Sequence, residues 1–176
     1  MGTPHKYEST GMKVVITDVS VFFDLYHLQI LPEFFALDIE VHTTNFVYNE
    51  ITHSGQKNEF DVFVRSKRLN IINITPYEED EIRALHLHRA NKSFPDKTIL
   101  WKAIQLKCTL LTCDNKLRKE AIEQGLDVHG IIWVISCLIN QEIITQLKGI
   151  QLLQHIKKIN TRLPHCEIDE LIARLK

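Results

Sequence analysis

The chain has 176 residues, of which 44% are hydrophobic and 24% are charged, so it holds enough apolar material for the core of one globular domain. Its formal net charge of -1 excludes the strongly basic composition of a general nucleic-acid coat, although a local basic patch is compatible with it. The sequence shows no signal peptide and no apolar run near the ~18 residues that a membrane span needs, and its four cysteines lack C-x-x-C spacing, which favours a reducing, cytoplasmic compartment over a structural zinc site.

Residues 1–11 are polar and without pattern, and we interpret them as a disordered leader or a tag. Residues 12–140 are predicted to form one domain, because short β-branched runs alternate with helical segments. The predicted strands are, in chain order, MKVVIT, DIEVHTT, NIINIT, CTLLTC and LDVHG. This alternation predicts an α/β fold, a three-layer α/β/α sandwich around a central parallel sheet.

The first helical segments follow the first two strands. SVFFDLYHLQI reads as a helix, and NFVYNEITHSG reads as a second helix that closes at Gly55. A third helix is predicted over residues 59–67, before the strand NIINIT. Each of these segments would cover one face of the sheet.

The later helices carry clearer boundary signals. Thr75 and Glu78 predict a capping box at the start of TPYEEDEIRALHLHRANK, SFPDKTILWKAIQLK is a further helix, and NKLRKEAIEQG is expected to end at Gly125. The chain is predicted to be helical from Ile131 onward. Residues 141–176 are expected to form a helical C-terminal extension, either packed on the domain or at an oligomer interface such as that of a homodimer.

Two acidic residues follow predicted strands. Asp18 stands at the carboxyl end of MKVVIT, and Asp114 stands at the carboxyl end of CTLLTC. In open parallel sheets, ligands bind beyond these ends of the strands. Either residue alone is explained equally well as the N-cap of the helix that follows it.

Two further acids have their own alternatives. Glu50 falls on the apolar stripe of the predicted helix NFVYNEI, where a carboxylate must be paired, protonated or directed into a polar cleft. Asp96, in SFPD, nearly matches a capping box with Ser93. If all four acids met, each pair at ~4 Å would repel by roughly 4 kcal/mol at an effective dielectric near 20. Such a group would require protons or a hard divalent cation, Mg²⁺ or Mn²⁺.

The chain resembles PIN-domain proteins, most closely the small prokaryotic VapC-type proteins. The segments that carry the resemblance are VITDVSVFFDL, FVYNEI, SFPDKTILWKAIQLKCTLLTCDNKLRKEA and GLDVHGIIWVISCLI. They span Lys13 to about Leu138, and NTRLP near the C-terminus is similar to the extended tail of some such proteins.

The resemblance implies a metal-dependent endoribonuclease that hydrolyses RNA and leaves a 5′-phosphate and a 3′-hydroxyl. In its narrower form it implies the toxin of a type II toxin–antitoxin pair, with a small antitoxin protein as partner. The implied catalytic residues, which are also the ligands of one or two Mg²⁺ or Mn²⁺ ions, are Asp18, Glu50, Asp96 and Asp114. The hydroxyls that would support the metal ligands are those of Ser20 and Thr112.

Basic residues flank two of these acids in the sequence. Lys97, Lys116 and Arg118 are candidate contacts to RNA phosphates, which would make binding weaken with salt. The alternative is that they belong to a solvated helix face.

Two other functions stay open at this stage. The fold could bind nucleic acid or protein with little or no catalytic turnover, which a metal titration would reveal. An aspartyl phosphatase is disfavoured, because Ser20 stands where its D-x-D motif needs a second acid.

Overall fold

The computed structural model of the protein describes residues 12–87 and 92–176, so the predicted leader at residues 1–11 lies outside the described residues. The described chain forms one sheet of five parallel strands in the order β3-β2-β1-β4-β5. The strands are β1 (Lys13–Thr17), β2 (Ile39–Thr44), β3 (Leu69–Ile72), β4 (Thr109–Leu111) and β5 (Val128–His129). The predicted central parallel sheet between helical layers is therefore confirmed.

Ten helices occur in the described part of the chain. They are α1 (Val19–His27), α2 (Leu31–Ala36), α3 (Asn45–Tyr48), α4 (Ser54–Arg65), α5 (Pro76–Ala84), α6 (Phe94–Leu106), α7 (Asn115–Glu123), α8 (Ile131–Asn140), α9 (Gln146–Ile159) and α10 (His165–Leu175).

The central strand β1 is buried on both of its faces. Val15 packs into a core formed with α1, α2 and α8, whereas the next residue, Ile16, packs into a second core formed with α6 and α7. Both side chains are fully buried, as expected of a parallel strand covered by helices on each side.

The predicted helix boundaries hold for α6, α7 and the start of α5, but the predicted continuation of α5 toward Lys92 is wrong, because Leu85 adopts an extended backbone and α5 ends at Ala84. Residues 88–91 of the predicted helix lie outside the described residues. Both capping boxes form, with Thr75 and Glu78 at α5 and with Ser93 and Asp96 at α6. Gly125 follows α7 with a φ of 78°, the left-handed conformation that a glycine adopts without steric cost.

The prediction of one helix from Asn45 to Gly55 is wrong. The helix α3 ends at Tyr48, and α4 begins at Ser54 rather than at residue 59. A continuous eleven-residue helix would carry the chain about 16 Å in one direction. Instead the fully buried Ile51 anchors a turn, and α4 folds back against β3, where Asp61 accepts a 2.6 Å hydrogen bond from the Tyr48 hydroxyl.

The C-terminal helices share the core of the domain. Leu153 and Ile156 of α9 and Ile168 of α10 are fully buried in the same core as Val15. Gly149 of α9 is buried, and a methyl group in its place would overlap the Ile139 side chain of α8. The two helices therefore pack as closely as a glycine allows. None of the described helices has the length and apolar character needed to cross a membrane.

Candidate active site

The carboxyl ends of β1, β2 and β4 meet at one edge of the sheet. Asp18 directly follows β1, and Asp114 stands three residues beyond the end of β4. Glu50 and Asp96 reach the same neighbourhood from the turn after α3 and from the first turn of α6. We call these four residues, Asp18, Glu50, Asp96 and Asp114, the acidic edge.

Asp18 is the buried member of the acidic edge, with 3% of its surface exposed. Its Oδ1 accepts from the Val19 backbone N–H at 2.8 Å, and its Oδ2 accepts from the Ser20 and Thr112 hydroxyls at 2.6 and 2.9 Å. Burial raises the pKa of Asp18, and the negative charge of Asp96 adds to the rise, although the two hydroxyl donors oppose it. The carboxylate is thus fixed in place but is costly to ionise.

The hydroxyls of Ser20 and Thr112 tie the exits of β1 and β4 together. Thr112 donates to Asp18 and also accepts from the Asp114 backbone N–H at 3.0 Å. Ser20 donates to Asp18 and accepts from the Cys113 backbone N–H at 3.0 Å. Each hydroxyl therefore donates its single proton to the Asp18 carboxylate and accepts from a backbone N–H that follows β4.

Asp114 also caps a helix, which is the alternative role that the sequence predicted for it. Its Oδ1 accepts from the Leu117 backbone N–H at 2.7 Å, which makes it the N-cap of α7. One carboxylate oxygen is thus committed to the helix. The other, Oδ2, accepts no hydrogen bond from any residue in the described ranges.

Asp96 is held at the edge through α6. Its Oδ2 accepts from the Ser93 backbone N–H at 3.2 Å, completing the capping box. One turn into the helix, Thr98 donates to the Pro95 carbonyl at 2.7 Å and lies 2.8 Å from the Thr44 hydroxyl at the end of β2. Since Thr98 has only one hydroxyl proton, Thr44 must donate to it. This buried pair fixes the start of α6 against the sheet.

Glu50 differs from the position predicted for it. It stands in the exposed turn after α3, not on the buried stripe of a longer helix. The pKa of Glu50 is nevertheless raised from 4.5 to about 7. Partial burial of the carboxyl is the main cause, and the negative charges of Asp18 and Asp96 add to the rise. Glu50 therefore interacts electrostatically with Asp18 and Asp96, although no described residue donates a hydrogen bond to it.

The structure brings the acids into electrostatic contact without closing them around an ion. Asp96 adds to the raised pKa of Asp18, Asp18 and Asp96 both add to the raised pKa of Glu50, and Asp114 is linked to Asp18 through Thr112. Among residues 12–87 and 92–176, no group of three or more His, Cys, Asp or Glu side chains is arranged to hold a metal ion. The donor set still fits a hard cation in kind, because all four ligand candidates are carboxylates and three of them keep an oxygen free of hydrogen bonds from described residues.

The residues predicted to contact phosphates differ in their exposure and in their hydrogen bonds within the protein. Arg118 donates to the backbone carbonyls of Val128 and Thr112, both at 3.2 Å, and so braces the ends of β4 and β5. Lys116 is exposed in the first turn of α7, and Lys97 is half-buried in the first turn of α6.

A fifth carboxylate beside the acidic edge was missed from the sequence. Asp24 of α1 is 7% exposed, and both of its oxygens lie 3.1 Å from Nδ2 of Asn160, the residue that ends α9. Burial raises the pKa of Asp24, while hydrogen bonds from Cys113 and Asn160 oppose the rise. A signal was present, because Asp24 stands three residues after Val21 on the buried face of α1.

Asp24 and Asp114 line a common cavity of about 540 Å³ between α1 and the end of α9. Cys113 also lines it, but burial and then the charge of Asp24 raise the pKa of its thiol, so it is not a nucleophile at neutral pH.

Comparisons with known proteins agree with this architecture. A family model, DUF3368, which is described as a PIN domain, matches residues 14–176. Among solved structures, a PilT N-terminus domain protein from the hyperthermophilic archaeon Sulfolobus solfataricus P2 is similar at a TM-score of 0.51 and 13% sequence identity. The alignment covers 72% of this chain and 93% of that one, and at this identity it shows the fold alone. No curated protein matches the chain.

Proposed function

The chain belongs to the PIN-domain family DUF3368, and from this premise we propose that it is a metal-dependent endoribonuclease whose active site is the acidic edge. PIN domains are commonly nucleases and generally use divalent metal ions. The proposal adds Mg²⁺ or Mn²⁺ as the cofactor, RNA as the substrate and phosphodiester hydrolysis as the reaction.

The observation that carries the proposal is the position of Asp18, Glu50 and Asp96 at the carboxyl edge of the sheet, where two hydroxyl groups hold Asp18. Burial raises the pKa of Glu50 and the charges of Asp18 and Asp96 add to the rise, which supports the proximity of the three carboxyls. Negative groups that repel one another in this way are expected where a cation completes the site.

Each acid would have a separate task. Asp18 and Asp114, fixed by Ser20 and Thr112, would be the rigid ligands, and Glu50 and Asp96 would complete the set. A divalent cation bound there would promote ionisation of water and offset charge on the phosphoryl oxygens.

The proposed surroundings are the cytoplasm and, in the narrower form, a toxin–antitoxin pair with a small antitoxin as partner. Four free cysteines support a reducing compartment. The sequence resemblance supports the toxin role, and the C-terminal helices are the proposed surface for a homodimer.

The direct test is the substitution Asp114→Asn. The purified parent should cleave single-stranded RNA with Mn²⁺ or Mg²⁺ and leave 5′-phosphate ends, and the variant should lose more than the about 100-fold that removal of an outer-shell partner costs. Asp80→Asn, an equivalent change on the exposed face of α5, is the matched control and should cleave like the parent. Equal cleavage by Asp114→Asn and the parent would show that the activity is a contaminant or that the site is elsewhere.

The second candidate is a nucleic-acid or protein binding module that does not turn over. It is favoured by one observation, the absence of a closed metal-binding group in the described residues. A Mn²⁺ titration separates the two, because a cation at 100 times its dissociation constant stabilises the fold by about 2.7 kcal/mol. A binding module would show neither this gain in thermal stability nor cleavage.

A further inference from the structure

Residues 160–163, which follow α9 and precede Pro164 at the start of α10, form a turn that hydrogen bonds and a buried leucine hold against the domain, and we call it the tail turn. The Asn160 backbone N–H donates to the Ile156 carbonyl at 2.8 Å, and its side-chain Nδ2 donates to Asp24. Its Oδ1 accepts from the Arg162 backbone N–H at 3.3 Å. Leu163 is buried in the domain core, which closes the turn. Asn160 thus uses its donor on α1 and its acceptor on the turn itself.

The consequence of this arrangement is a fixed position for Arg162. Its side chain is exposed, and within residues 12–87 and 92–176 no carboxylate lies at ion-pair distance from it, although its charge acts on Asp24 from farther away, so its guanidinium donors are available. A backbone held in place by Asn160 and Leu163 lowers the entropy that this side chain would lose on binding a ligand.

Arg162 lies where two cavities meet. One is the cavity of about 540 Å³ that Asp24 and Asp114 line, and the other, of about 430 Å³, contains Trp133 and Gly130. Arg162 lines both. A ligand bound to its guanidinium would therefore extend into the acidic edge on one side and toward α8 on the other.

The first cavity has the chemistry of a nucleotide site. Phe23 and Ile159 give it an apolar wall, while His27 and His155 give it hydrogen-bonding groups. Its volume lies in the range of small-molecule sites. Single-stranded RNA is typically bound by aromatic and polar side chains that receive its unstacked bases, together with basic residues at the phosphates.

The two carboxylates in this cavity would disfavour an anion if they were uncompensated. Asp24 is compensated, because Asn160 donates to it and the positive charges of His27 and Arg162 oppose the rise of its pKa. Asp114 belongs to the proposed cation site, where its charge would be offset. The guanidinium of Arg162 is then the charge that a phosphate would meet, and its planar fork suits a bidentate contact.

We propose that Arg162 binds a backbone phosphate of the substrate strand next to the scissile one, and that the cavity beside Phe23 receives the flanking nucleotide. This inference rests on the proposed function, since it takes the scissile phosphate to lie at the acidic edge. It assigns to the tail turn a substrate-binding role in the reaction.

The test measures binding rather than turnover. A 5′-fluorescein-labelled single-stranded RNA of twelve nucleotides and mixed sequence is titrated with the full chain carrying Glu50→Gln, which is intended to block cleavage, in the presence of Mn²⁺. Adding Arg162→Ala should weaken binding by about tenfold or more. The slope of log affinity against log salt concentration should also fall by about 0.7, the value for one phosphate contact with a single strand.

Two variants make the result specific. Arg174→Ala removes an exposed arginine of α10 that lines neither cavity and should bind like the starting protein. Arg162→Lys keeps the charge but not the fork, so it should retain the salt slope while losing part of the affinity.

The outcomes separate this inference from the proposed function. If the parent cleaves RNA but Arg162→Ala matches Arg174→Ala in affinity and salt slope, the inference is overturned and the nuclease stands. If binding depends on Arg162 while the parent cleaves nothing, the nuclease proposal fails, and of the inference only the contact of Arg162 with an RNA phosphate remains, not its place next to a scissile one. If the parent neither binds nor cleaves RNA, both are overturned.

Discussion

Asp18 and Glu50 carry the same functional group at the same edge of the sheet, yet the protein treats them differently. Asp18 is buried and accepts hydrogen bonds from three donors, whereas Glu50 is exposed and accepts none from the described residues. The pKa of each is raised, but only Asp18 has donors that oppose the rise. Hydrogen bonds therefore hold Asp18 in position, whereas the ionisation of Glu50 depends on the charges around it.

Asp24 extends the comparison to a second buried acid on the same helix. It too is held by side-chain donors, including Asn160 from the far end of the chain. The buried acids should therefore couple to stability, and the exposed acid should couple mainly to ion binding. Three substitutions test this difference.

The largest effect on stability is expected from Thr112→Val, which keeps the shape of the side chain and removes its hydroxyl. Asp18 loses a donor and the Asp114 backbone N–H loses its acceptor, so we expect the free energy of unfolding to fall by about 1–3 kcal/mol in urea titrations. RNA cleavage should fall as well, because both acids lose their alignment. Thr109→Val, at the start of β4 and hydrogen-bonded to Asp127 away from the acidic edge, should retain cleavage. Loss of cleavage in both variants would mean that the hydroxyl of Thr112 has no special role.

A smaller effect is expected from Asn160→Ala. Nδ2 of Asn160 favours the ionised form of Asp24, so its removal should raise the pKa of Asp24 further above its ordinary value. The loss of stability, about 1–2 kcal/mol, should be full where Asp24 is ionised and should shrink as the pH falls through its folded pKa. Urea titrations at pH 8 and pH 4 measure this difference, and a pH-independent loss would contradict it.

The smallest effect is expected from Glu50→Gln in metal-free protein, and its sign is opposite. The folded protein binds the Glu50 proton more tightly than the unfolded chain, with a pKa of about 7 against 4.5, so the parent loses stability as the pH rises through this interval. The variant should therefore be more stable than the parent at pH 8 and equal to it at pH 4. The gain should not exceed about 1 kcal/mol, because solvent screens an exposed charge. With saturating Mn²⁺ the order should reverse if Glu50 binds the ion.

The sequence predicted the sheet because its strands are continuous apolar runs, and such runs are typical of strands covered on both faces. It predicted the capping boxes of α5 and α6 because those signals are local. It failed at the end of α3, where no glycine or proline marks the boundary. There the helix is ended by a distant contact, that of Tyr48 with Asp61, together with the burial of Ile51.

Only part of the candidate site could be predicted from the sequence. Asp18 and Asp114 could be placed because strand ends position them, but Glu50 was assigned to a helix that stops before it. Asp24 was missed although it lies on the buried face of α1, since its partner Asn160 is 136 residues away. The resemblance of NTRLP to a known tail pointed to that partner without revealing what it contacts.

The hydrogen-bond partners of Asp18 and Asp24 come much later in the sequence, and this order affects how the site assembles during synthesis. Asp18 is one of the first described residues to leave the ribosome, but its partner Thr112 follows 94 residues later and the partner of Asp24 follows 136 residues later. During synthesis, at about 5–20 residues per second, the early acids would thus wait several seconds for the groups that position them. A nascent chain would carry the acids without the assembled edge, and full assembly would require the tail turn to have emerged.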